Sequence, residues 1–158
     1  MPNKEKETIE DLQYKGLKII QNKTCFCFGM DAVLLADYVT LKRGDRVLDL
    51  CTGTGIVPIL LSGREKARQI IGIELMKYVA DMGTRSVALN GLSGKVSIIQ
   101  GDVKQARKLT DGVFDVVTVN PPYEKKNEAL QSPNRYLEAA RHEVFVTFDE
   151  ICQTAAQM

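Results

Sequence analysis

From Arg46 onward the sequence predicts an α/β fold, a parallel sheet with helices on both faces. Two observations carry that expectation. Strand-like runs rich in Val, Ile and Leu alternate with helix-like runs as far as Val119. Each strand-like run also closes on a glycine loop, an acid or a polar corner. In an open α/β sheet those C-terminal strand ends are where ligands sit.

The 158 residues suit one domain around one core. Hydrophobic content of 44% and charged content of 26% are those of an ordinary soluble globular protein. No apolar run approaches a membrane span, and Met1-Pro2-Asn3-Lys4-Glu5-Lys6-Glu7 lacks a signal peptide's apolar segment, so no membrane partner is expected. Cys25, Cys27, Cys51 and Cys152 show no Cys-x-x-Cys spacing, and beside a single histidine they predict no metal site. Free thiols in a reducing cytoplasm are the economical reading. A net charge of +1 neither favours nor excludes a nucleic-acid partner, so any phosphate-binding surface must be a local patch.

The first eleven residues are charged and expected to fray. Residues 17–20 and 25–28 flank the polar turn Gln21-Asn22-Lys23-Thr24 and predict a hairpin. Cys25 and Cys27 would share one side of its second strand, in the core. Asp31 predicts an N-cap for a helix over 32–39. Residues 1–41 thus read as an N-terminal hairpin and helix ahead of a domain over 42–158. Strands follow over 47–51, 69–75, 96–100 and 114–119. Helices are expected from 56 to about 67, with Pro58 tolerated in the first turn, and over 76–89, stopped by Asn90-Gly91. A short helix is expected over 103–109. The long polar stretch after Tyr123 has no period and reads as a functional loop. Thr147-Phe148-Asp149-Glu150 then fits a capping box that opens a helix including Ile151 and Ala155.

The chemistry gathers at the strand ends. Asn120-Pro121-Pro122-Tyr123 follows the fourth strand, and two prolines can neither extend it nor start a helix. The corner therefore presents the Asn120 amide, the Pro121 carbonyl and the Tyr123 ring on a stiff platform. An amide oxygen beside a carbonyl can accept both hydrogens of one exocyclic amine, and the ring can stack on a flat base. Gly53-Thr54-Gly55 lets backbone amides approach a ligand at a helix N-terminus. Pro58 stands where a dinucleotide fingerprint needs its third glycine, which disfavours nicotinamide. Asp49, inside the first strand, is expected to order the loop amides. Glu74 is placed to take both hydroxyls of a ribose. Asp102 could accept from an adenine amino group, with the Val103 amide facing the ring.

These residues together resemble the Rossmann-like S-adenosylmethionine-dependent methyltransferases. The stretch from Val47 through Asp49, Cys51, Thr52 and Gly53 to Gly55 is similar to their cofactor loop, Glu74 to the ribose acid and Asp102 to the adenine-contacting acid. Asn120-Pro121-Pro122-Tyr123 is similar to the target motif of amino-methylating members. Phe28-Gly29-Met30-Asp31-Ala32, with Ala140-Arg141-His142-Glu143, resembles more narrowly the bacterial tRNA1(Val) adenine-N6 methyltransferase family. The resemblance implies strand order 3-2-1-4 for the part of the sheet present, with the later strands missing and the domain truncated at its C-terminus. It implies S-adenosylmethionine as cofactor, held by Phe28, Asp31, Asp49, Cys51, Thr52, Gly53, Gly55, Glu74, Asp102, Val103 and Asn120, with Asp31 near the methionine end. Cys51 departs from the pattern, standing where that loop usually has glycine.

The expected reaction is methyl transfer to N6 of an adenine in tRNA, catalysed by Asn120, Pro121, Pro122 and Tyr123 through positioning rather than a strong base. Lys125, Lys126, Arg135, Arg141 and His142 are candidates for RNA contact. Two other acceptors fit the same motif, a protein glutamine amide and guanine N2. A reading of another class, a non-catalytic cofactor- or RNA-binding fragment, also stays open, because half a sheet leaves the fourth strand with an unpaired edge. Oligomeric state is not legible.

Overall fold

The computed structural model describes residues 4–24, 27–121 and 146–158. A two-stranded antiparallel ribbon, β1 (Glu7–Asp11) and β2 (Lys18–Asn22), opens the fold, with Glu7 opposite Asn22 and Asp11 opposite Lys18. The hairpin therefore forms one segment earlier than its apolar runs suggest. Its turn explains the choice: Gln13, Lys15 and Gly16 all take positive φ, and Asp11 accepts the Gln13 amide at 2.7 Å. The charged β1 does not fray. Arg85 donates two hydrogen bonds to Glu7, at 2.7 and 2.9 Å, and holds Asp81 with its Nε. That forked contact keeps the Glu7 carboxyl below its ordinary range. Cys27 is exposed and lies off any strand, so its expected core position is corrected, while Cys25 lies outside the described residues.

Helix α1 spans Met30–Tyr38 and is capped by the Gly29 backbone, with no side-chain cap bond. Asp31 is inside the helix rather than before it, and its carboxylate folds back over Gly29, where a Cβ would collide with Oδ1. The main sheet comprises β3 (Arg46–Leu50), β4 (Gln69–Glu74), β5 (Val96–Gln100) and β6 (Val116–Val119). It is fully parallel in the order β5-β4-β3-β6, which is the expected 3-2-1-4. Among the described residues β6 pairs on one side only.

Alternating strand residues separate two apolar layers, as the two-residue pleat requires. Val47, Ile70 and Val96 pack with α1, β2 and α2 (Ile56–Ser62) on one face, where Val87 of α3 (Lys77–Leu89) joins them. Leu48, Leu50, Ile71 and Ile73 pack on the other face with Val103 and Ala106, and with Ile151 of α5 (Phe148–Ala155). Helix α5 carries the expected capping box between Thr147 and Glu150.

Beyond the hairpin and α1, three segments differ from expectation by more than a one-residue shift. Helix α2 stops at Ser62 because Gly63 packs against Tyr14 and Leu17, and Glu65 turns into the left-handed region at φ 59°. The 103–109 segment divides into a 3₁₀ turn, Val103–Gln105, and a single α turn, α4 (Ala106–Leu109). Strand β6 begins two residues late because the Phe114 amide is taken by the Met158 carbonyl and the Asp115 amide by Arg46. The α3 stop falls as expected, with Asn90 as C-cap and Gly91 at φ 67°.

Candidate active site at the C-terminal ends of the strands

The loop after β3 alternates its backbone. Cys51, Gly53 and Gly55 take φ values of 56°, 59° and 83°, so every second residue is left-handed. Two of the three are glycines, which adopt that region without steric cost. Cys51 has a side chain there, a conformation costing about 1–2 kcal/mol. Its thiol packs beside the apolar layer of Leu50 and Val103, and burial with the nearby acids Glu74, Asp49 and Asp102 pushes its pKa up to about 12. A thiol so raised is not a nucleophile at neutral pH.

Close approach holds the loop. A Cβ on Gly72 of β4 would lie 2.6 Å from Thr52 Oγ1, and one on Gly83 of α3 would lie 3.3 Å from the Thr54 carbonyl carbon. The Gly53 amide donates to Glu74 Oε2 at 3.0 Å, and Glu74 Oε1 accepts from the Met76 amide at 2.8 Å. Glu74 thus joins the glycine loop to the start of α3. Asp49 was expected to order loop amides, but it accepts hydroxyls instead. Thr52 Oγ1 donates to its Oδ2 and Thr118 Oγ1 to its Oδ1, each at 2.6 Å. The loop amides are taken by Glu74 and by the backbone, as in the 3.0 Å bond from Thr52 N to the Ile73 carbonyl.

Asp102 caps the turn after β5, accepting the Lys104 amide at 2.9 Å, with the Lys104 ammonium 3.7 Å from its other oxygen. Val103 is buried in the second apolar layer. Phe28 packs against the first layer and donates its amide to Gln21 Oε1 at 2.9 Å. Asn120, half-buried at the end of β6, donates through Nδ2 to Asp31 Oδ2 at 2.8 Å, across 89 residues of chain. Pro121 is the last described residue of the corner. Pro122, Tyr123, Lys125, Lys126, Arg135, Arg141 and His142 lie outside the described residues.

The methyltransferase small domain family matches residues 17–145. The chain belongs to that family. Its curated relatives include the tRNA1(Val) (adenine(37)-N6)-methyltransferase of Bacteroides thetaiotaomicron, 26% identical over 147 residues, covering 92% of this chain and 60% of the relative. The protein of the same name from Histophilus somni is 28% identical over 129 residues, covering 81% of this chain and 55% of the relative. The chain therefore spans a little over half the length of these relatives. Among solved structures, Methanocaldococcus jannaschii Trm5 in complex with adenosine superposes at a TM-score of 0.59 with 20% identity, covering 75% of this chain and 35% of that one. This likeness shows the Rossmann-like fold.

Within this family member, sequence reading missed Thr118 and Gly72. No local signal marks them: only the pairing of the strands sets them beside Asp49, one on either side. Among the described residues no three His, Cys, Asp or Glu side chains gather as a metal site, and no helix is long and apolar enough to cross a membrane.

Burial pushes the Asp49 carboxyl up to about 7, against the hydroxyls of Thr118 and Thr52, which favour its charged form. Glu74 is raised by burial too, against the amides of Met76 and Gly53. Unfolded, such carboxyls titrate near about 4. With Asp49 the folded chain therefore keeps a proton between about pH 4 and pH 7 that the unfolded chain has lost, and this group weakens stability as pH rises through that window. The stability of the wild type relative to Asp49→Asn, measured by urea denaturation, should fall from pH 5 to pH 8. A difference flat across that range would mean that Asp49 is ionised throughout.

Proposed function

We propose that this chain carries the donor-binding and acceptor-positioning residues for methyl transfer from S-adenosylmethionine to N6 of an adenine in tRNA. One observation carries the reading: Asn120 Nδ2 donates to Asp31 Oδ2. A carboxylate can only accept, so this bond fixes which end of the amide is which and turns Oδ1 to the other side. Asn120 Oδ1 and the Pro121 carbonyl then accept the two hydrogens of the target amine. That draws the nitrogen toward a pyramidal shape with its lone pair directed at the methyl group. Positioning of this kind is worth roughly 7–11 kcal/mol, so no strong base is needed. The amine's surplus proton leaves to water after transfer.

The donor set fits the cofactor. Gly53 and Gly55 present backbone without Cβ atoms, and Glu74 stands at a strand end with its carboxylate already held in place by two amides. Glu74 would take the ribose hydroxyls, and Asp102 and Val103 would face the adenine. Cys51, Thr52 and Asp49 shape the loop, and Phe28 and Asp31 border the methionine end. S-adenosylmethionine supplies a methyl group already activated on sulfur.

The relatives' names support tRNA as the partner, and the same proposal places the reaction in the cytoplasm. In this reading Tyr123 stacks on the base, and Lys125, Lys126, Arg135, Arg141 and His142 meet RNA phosphates. The test is incubation of the full-length protein with labelled S-adenosylmethionine and unmodified bulk tRNA, followed by nucleoside analysis. N6-methyladenosine is the expected product. N2-methylguanosine, or label in a release-factor glutamine instead of RNA, would replace the adenine assignment.

A further inference from the structure

Four residues stand in one row across the first face of the sheet: Ile98, Gly72, Asp49 and Thr118, register partners on β5, β4, β3 and β6. The row is buried around its acid, with Asp49 1% and Thr118 4% exposed. Gly72 leaves the space into which Thr52 descends, since any Cβ there would collide with both Thr52 Oγ1 and Cγ2. Thr52 thereby reaches one carboxylate oxygen of Asp49, and Thr118 reaches the other. Thr52 is the residue before Gly53 of the loop, and Thr118 is two residues before Asn120.

We infer that Thr118 is a positioning residue which, through Asp49, locks the cofactor loop to the strand carrying Asn120, so that the two halves of the site keep one register. The inference rests on the methyl-transfer reading and goes beyond it. Asp49 accepts from both sides only while it is a carboxylate. Hydrogen bonds to a charged acceptor are the strong kind, and two of them on one buried group outweigh any single contact in the loop. Without Thr118, one oxygen of a buried carboxylate loses its donor. The acid then takes up a proton more readily, and Thr52 loses a charged acceptor. The groups facing Asp49 are Glu74 on β4 and Cys51 beside it in the loop, with Asp102 after β5 also near Cys51. None is a cation.

The test uses three proteins: wild type, Thr118→Val, which keeps the branched shape and removes the donor, and Thr118→Ser, which keeps the donor. Binding of S-adenosylhomocysteine is measured by calorimetry from about pH 6 to 9, beside thermal denaturation. Thr118→Val should bind at least about fivefold more weakly at neutral pH. Its binding should also fail at a higher pH on acidification than the wild type's, because Asp49 protonates earlier. Thr118→Ser should restore both readouts. Valine binding within twofold of wild type with an unshifted profile, or serine behaving like valine, would overturn the bridge alone. Failure of the wild type to bind would instead remove the cofactor reading and the bridge with it. Should Thr118→Val not fold, Thr52→Val read the same way decides the question, since both hydroxyls act on one carboxylate.

Discussion

Asn120→Ala should reduce methyl transfer by at least about a thousandfold while leaving cofactor affinity within a few-fold. The substitution removes the amide oxygen assigned to the target amine. It leaves untouched the contacts of the loop, namely Gly53 to Glu74 and Thr52 to Asp49. Asp31 loses the amide that Asn120 donates to it, but it is exposed, so water replaces that donor at little cost. Single-turnover transfer with labelled donor measures the first quantity, and calorimetry with S-adenosylhomocysteine the second. If binding fell in parallel with transfer, the division between donor-holding and acceptor-holding residues would be wrong.

The second large effect is on stability. Gly72→Ala should destabilise the fold by about 1–3 kcal/mol, the range for overpacking a filled core. The new Cβ would lie 2.6 Å from Thr52 Oγ1, 2.8 Å from Thr52 Cγ2 and 2.9 Å from Ile98 Cδ1. Three atoms from two elements cannot all retreat, because the row is flanked by paired strands on both sides. Gly94→Ala is the control. A Cβ there meets nothing within 4 Å, and its urea midpoint should match the wild type. A Gly72→Ala midpoint equal to that of the control would show that Thr52 moves aside freely.

The parallel sheet was legible because strand and helix periods alternate cleanly from Arg46 to Val119, and its order followed from the resemblance. The capping box at Thr147 was legible because its four residues carry the whole mechanism locally. What failed was non-local. Nothing near Glu7 announces that Arg85, 78 residues later, will hold it, so a charged opening segment read as frayed. Asp31 looked like a cap because its type and place before an apolar run suit one, yet Gly29 does that task with backbone alone. Asp49 was singled out as an acid inside a strand, and it is buried there. Its partners were misassigned because the pleat, rather than sequence adjacency, brings Thr118 beside it. The alternation of left-handed backbone at Cys51, Gly53 and Gly55 gives the glycine spacing of the loop a cause, and it shows what the cysteine costs.

The amino-terminal ribbon has a consequence for the order of events during synthesis. Its anchors, Ser86, Asn90 and Arg85, are reached by Ile20, Lys18 and Glu7 over sequence separations of 66 to 78 residues. A two-stranded ribbon alone is barely stable in water. During synthesis β1 and β2 therefore wait, without their anchors, until α3 has emerged.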